Sequence, residues 1–163
     1  MNNAPISENM VAPVFTLPAA LPDGRQSTIR LSDFKQRQEG LVLYFFPRDN
    51  TPGCTTETKD FSEAYNEIRS CGFDVAGVST DALQSHHKFI NKLNVPFALL
   101  TDDEGVVADK YGCYCLKKMY GKEFMGVERS TFLIGSNGKI FDLWRKVKVP
   151  GHVDDVVQRI RQL

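Results

Sequence analysis

The residues of this 163-residue chain best suited to chemistry lie in Pro47-Arg48-Asp49-Asn50-Thr51-Pro52-Gly53-Cys54. The stretch is rich in turn formers. It follows the apolar run Leu41 to Phe46 and leads into Phe61, Ala64, Tyr65 and Ile68, an i, i+3, i+4, i+7 series that marks one helix face. A helix starting near Pro52 or Gly53 and stopping at about Ser70, before Gly72, puts Cys54 in its first turn. There, unpaired backbone N–H groups and the positive end of the helix dipole favour thiolate over thiol, and the thiolate is the nucleophilic, oxidisable form. Position alone leaves a second reading open, a small hydrophobe packed at the helix start. Cys71 lies seventeen residues further along the same helix, about 25 Å at 1.5 Å per residue, out of disulfide reach, and reads as a packed thiol.

The elements that must position this segment alternate in type. Val14 to Leu17 and Thr28 to Leu31 flank a Pro/Asp/Gly turn and read as a hairpin. Leu41 to Phe46 is continuous and β-favouring, as suits a strand buried on both faces. Strands over 73–79 and 97–101, helices over 82–93 and 104–111, and a second hairpin of 130–134 with 139–147 follow, and a last helix comes after Pro150-Gly151. Residues 112–126 lose periodicity and read as a long loop. The pattern predicts an α/β sandwich with a mixed sheet, helices on both faces and an N-terminal β-hairpin, formed by residues 1–163 as one domain. The reactive loop then lies beyond the carboxyl end of a parallel strand, where open α/β sheets place their sites.

Composition narrows the function classes. Hydrophobic residues make up 42% and charged residues 25%, the balance of a globular domain large enough to fold without disulfides or a structural metal. Twenty basic and twenty acidic residues cancel, with no long run of either sign, so neither nucleic acid nor an anionic membrane is an expected partner. The longest apolar run is six residues, and the opening MNNAPISENM has no leader-peptide pattern, so a cytoplasmic location is expected. Cysteines there stay mostly reduced. His86, His87 and His152 show no recognised metal spacing, His86 and His87 read as a polar helix face, and Cys113-x-Cys115 offers at most two ligands. No metal and no cofactor is expected.

Pro47-x-x-x-Thr51-x-x-Cys54 with Thr55 and Glu57 resembles the active-site signature of the peroxiredoxins. FPRDNTPGCTTET, VAGVST, FALLTD and MYGKEFMGVERSTFLIGSNGKI extend the likeness from about Ala12 to the C-terminus and are similar to the PrxQ branch, also called bacterioferritin comigratory proteins. The resemblance implies a thioredoxin-like fold and a thiol-dependent peroxidase acting on hydrogen peroxide and organic hydroperoxides. It implies that Cys54 is the peroxidatic cysteine, cycling through a sulfenic acid. Thr51 would hold sulfur and peroxide in register, and Pro47 would shield the thiolate from water. Arg129 would stabilise developing charge, and Glu57 would orient that arginine. Without the resemblance nothing singles out Arg129 among the arginines.

The chain departs from the family where the resolving cysteine is common, since those positions match Lys59 and Ile90 here. Cys113 or Cys115, in the 112–126 loop, is one possible resolving residue. The other route is an external thiol: thioredoxin, glutaredoxin or glutathione. A monomer is expected, as in much of the PrxQ branch. A Cys-x-x-Cys exchanger is disfavoured, because Glu57 stands three residues after Cys54. A cysteine hydrolase needs a nearby base, and no histidine precedes His86. The alternative function is a peroxide sensor or holdase that uses Cys54 oxidation as a switch.

Overall fold

The computed structural model describes residues 7–163; residues 1–6 of the opening stretch lie outside the described residues. β1 (Thr16–Ala20) and β2 (Gln26–Arg30) pair as the expected hairpin, with Thr16 opposite Arg30. Leu31 opens a short helix instead of ending the second strand. This α1 (Leu31–Gln36) leaves no mark in the sequence pattern, because its two buried residues, Leu31 and Phe34, are too few to display a period. Asp33 accepts the Arg30 N–H at 2.9 Å and so fixes its start.

β3 (Gly40–Phe45) is buried at every residue, as its unbroken apolar sequence requires. α2 (Pro52–Ser70) leads to β4 (Phe73–Ser79), and α3 (Leu83–Leu93) leads to β5 (Ala98–Thr101). These three strands are parallel. α4 (Val106–Lys110) follows, and β8 (Ser130–Ile134) and β9 (Ile140–Trp144) then add antiparallel strands beyond β3. The seven-stranded order is β2-β1-β5-β4-β3-β8-β9, and α5 (His152–Arg161) closes the chain.

The pleat of β3 divides the core in two. Leu41, Leu43 and Phe45 pack with Phe34 of α1 and Val107 and Ala108 of α4. Val42, Tyr44 and Phe46 face Phe61 of α2, Phe89 of α3 and Val156 of α5. Tyr44 stacks on Phe61 with centroids 4.6 Å apart and shares a 2.9 Å hydrogen bond with Thr58, which seats α2 on the sheet behind Cys54.

The 112–126 region is not an irregular loop. β6 (Tyr114–Met119) and β7 (Lys122–Val127) form a separate antiparallel ribbon, turning through Tyr120 and Gly121, both with positive φ. Its sequence hides this because much of the ribbon faces water on both sides, so no apolar alternation develops. Three further expectations need correcting. Cys71, read as packed, is exposed at the end of α2. Cys113, placed in the 112–126 loop, is fully buried in the α1/α4 layer. His86, assigned to a polar helix face, is fully buried, because Asp49 of the reactive loop provides a polar partner against α3.

Candidate active site

The site begins where β3 hands over to α2. Asn50 turns the chain through φ 61°, Thr51 is extended (φ −92°, ψ 156°) as the N-cap, and Pro52 occupies the first turn, where its missing N–H costs nothing. The first helical bond runs from the Thr55 N–H to the Thr51 carbonyl at 2.8 Å. The Thr51 hydroxyl does not cap the helix. It donates to the Arg48 carbonyl at 3.0 Å and keeps its own lone pairs free to accept.

Cys54 is fully buried in that first turn. Arg129 reaches it from the short link between β7 and β8. Its Nη2 lies 3.4 Å from Cys54 Sγ while Nη1 donates to Glu57 Oε1 at 2.7 Å, so one guanidinium spans the thiol and the carboxylate. Burial pushes the Glu57 carboxyl up to about 7, against the pull of Arg129. Burial also works against the charge on Arg129, but Glu57 and Cys54 outweigh it and strengthen its hold on the proton. A Cβ at Gly53 would stand 3.1 Å from Arg129 Nη2, so the missing side chain leaves room for the guanidinium over the helix start.

Pro47, Arg48 and Thr51 form one wall of a cleft of about 400 Å³. The β6–β7 ribbon forms the other, with Tyr114, Lys117, Met119, Phe124 and Met125. Such a fixed thiol with a cation on its sulfur and an open cleft beside it suits attack on a small electrophile in a water-poor setting.

Residues 9–142 match the AhpC/TSA family. The chain belongs to that family. Peroxiredoxin Bcp of Bacillus subtilis is 46% identical over 83% of this chain and 85% of its own length, and Peroxiredoxin Bcp of Xanthomonas campestris is 40% identical over 92% and 91%. The solved structure of Xanthomonas campestris Peroxiredoxin Q superposes with a TM-score of 0.79 at 40% identity, covering 90% of each chain. This is a peroxiredoxin of the PrxQ/Bcp branch, with the thioredoxin-like fold of those structures and a thiol-dependent peroxidase activity.

In this peroxiredoxin the fold brings Cys54, Glu57 and Arg129 into contact and sets Pro47 and Thr51 on the adjoining cleft. Cys113 and Cys115 stay apart from that contact set. Cys113 packs in the α1/α4 layer, whereas Cys54 belongs to the α2/α3/α5 layer. Burial pushes the Cys113 thiol up, and burial together with Glu128, 3.8 Å from its sulfur, does the same for Cys115. Sequence reasoning missed Gly53 and the apolar ribbon wall. The only available signal was the glycine between Pro52 and Cys54, and nothing local ties it to an arginine 76 residues later. No helix is long and apolar enough to cross a membrane among the described residues.

Proposed function

We propose that Cys54 is the peroxidatic nucleophile of residues 1–163 acting as one unit. Its thiolate attacks the nearer oxygen of a hydroperoxide, forming an S–O bond as the O–O bond breaks. The expelled alkoxide or hydroxide takes a proton and leaves as alcohol or water, and Cys54 becomes a sulfenic acid. The observation that carries this reading is the Arg129 guanidinium held on Cys54 Sγ at 3.4 Å by Glu57. That cation balances the thiolate and then the charge building on the peroxide oxygens, while Glu57 fixes its direction. The Thr51 hydroxyl, already turned by Arg48, holds the peroxide in line, and Pro47 keeps water from the sulfur.

The cleft beside Thr51 has an apolar wall of Met119, Phe124 and Met125 that suits the alkyl part of an organic hydroperoxide; hydrogen peroxide needs only the polar end. A bacterioferritin comigratory protein of Xanthomonas campestris, 39% identical to this chain, has alkyl peroxide reduction activity.

An external thiol completes the cycle. It attacks the sulfenic sulfur and displaces water, giving a mixed disulfide, and a second thiol removes the first as a disulfide and restores Cys54. Burial of Cys113 favours this route over resolution by Cys113 or Cys115, and of the two, half-buried Cys115 is the one within reach of solvent. Glutathione, glutaredoxin or thioredoxin in a reducing cytoplasm supplies the thiol, and the enzyme acts as a monomer.

Peroxide consumption with each reductant, paired with intact mass after one equivalent of peroxide, tests the reading. Many turnovers, lost in Cys54→Ser, are expected. Oxidation that stops at one equivalent would instead mean a sensor or holdase, and turnover that survives Cys54→Ser would remove Cys54 from the chemistry.

A further inference from the structure

Behind the reactive loop, three segments bring ligating side chains together. Asp49 comes from the loop, Asp81 from the turn between β4 and α3, and His86 from α3. Their ligand atoms all lie within 4.8 Å of one another. Asp49 is 6% exposed and His86 is fully buried, while Asp81 is partly open to solvent.

The hydrogen bonds define what remains free. His86 Nε2 faces only the Leu100 carbonyl, 3.0 Å away, and must donate to it. In neutral imidazole this leaves a lone pair on Nδ1. That atom is 2.8 Å from Asp49 Oδ2 yet makes no directed hydrogen bond. Asp49 Oδ2 accepts from Ser85 Oγ at 2.8 Å, but buried Asp49 Oδ1 has no partner. Asp81 Oδ2 accepts from the Asp49 N–H at 2.7 Å and from Ser79 Oγ at 2.6 Å.

Among the described residues, neither carboxylate has a lysine or arginine within ion-pair distance. Two carboxylates thus converge on one imidazole, which can supply at most one positive charge, and a largely buried site does not tolerate the surplus negative charge. A proton on Nδ1 would cancel only one of the two negative charges. A divalent ion would cancel both.

We propose that Asp49, Asp81 and His86 bind a small divalent transition ion of the zinc type. The donor set is one nitrogen and two carboxylates, with the remaining position open on the Asp81 side. The Nε2–H bond to a backbone carbonyl is the outer contact that orients metal-binding histidines, and Ser79 and Ser85 hold the carboxylates in the same way. The ion ties Asp49, two residues before Thr51, to β4 and α3, and so clamps the loop.

Cobalt(II) titrated into the fully reduced protein tests the site, followed by visible absorption and by competition with zinc. One equivalent is expected to bind with weak visible bands and no strong thiolate-to-cobalt absorption. Asp81→Asn and His86→Gln should each weaken binding at least about 100-fold, and Cys113→Ser combined with Cys115→Ser should leave it unchanged. Should His86→Gln not fold, Asp81→Asn at the partly exposed position decides. Thiolate absorption, affinity that survives Asp81→Asn, or absence of saturable binding overturns the proposal. So does nitrogen NMR showing both His86 ring nitrogens protonated in excess zinc.

Discussion

At the scale of single residues, the Arg129 fork is the part least replaceable by another cation. Lysine offers a point charge and cannot contact Glu57 Oε1 and Cys54 Sγ as two arms of one plane. Arg129→Lys should therefore slow the reaction of Cys54 with hydrogen peroxide by about 100-fold, measured by stopped flow, a loss typical of removing one preorganised donor. Glu57 makes a second prediction, about stability. Its folded value is about 7 against 4.5, so between these the native state keeps a proton that the unfolded chain has lost, and stability falls as pH rises. His152, which shares a 2.8 Å hydrogen bond with Thr131, behaves oppositely. Burial lowers it from 6.5 to about 4, so between these the unfolded chain holds the extra proton and stability rises with pH. The two contributions oppose each other from pH 4.5 to 6.5. In Glu57→Gln only the His152 contribution remains, and urea unfolding at about pH 5 and pH 6.5 should show stability rising with pH by about 1.4 kcal/mol per unit relative to wild type.

At the scale of elements, the start of α2 trades helix stability for access. Gly53 lies inside the first turn, where alanine is the better helix former by about 1 kcal/mol. Its added Cβ would crowd Arg129 Nη2, on a guanidinium that Glu57 holds in place through Nη1. Gly53→Ala should match or exceed wild type in melting temperature yet react more slowly with every peroxide, which differential scanning calorimetry and stopped flow together would show. The β6–β7 ribbon supplies the apolar wall of the cleft. Phe124→Ser removes apolar surface from the cleft without touching the Cys54–Arg129 contact. The KM for a bulky organic hydroperoxide should rise about 10-fold, from roughly 1.5 kcal/mol of lost apolar contact, with little change for hydrogen peroxide.

At the scale of the whole molecule, the sheet separates the cysteines. Cys54 and Cys113 belong to opposite core layers, while Cys71 is exposed and Cys115 is partly so. Brief alkylation of the native reduced protein, read by peptide mass, should label Cys71 and Cys115 first and spare Cys113 until urea is added. Rapid labelling of Cys113 would mean that the α1/α4 layer opens readily. The same architecture explains what could be read from the chain. The apolar run before Pro47, the period of α2 and the segment PRDNTPGC are local patterns, so burial of β3 and delivery of Cys54 to a helix start were determined by the sequence. α1 and the β6–β7 ribbon were not legible, because one is too short to show a period and the other has little buried face to impose one. Arg129 could be chosen only by resemblance, and the Asp49–Asp81–His86 cluster not at all, since neighbours 75 or 37 residues apart carry no mark of each other. Which polar groups lose water together, and which cation then meets the Cys54 sulfur, was decided only when the sheet brought β3, β4 and β8 side by side, because the energy of a buried charge depends on its spatial partners.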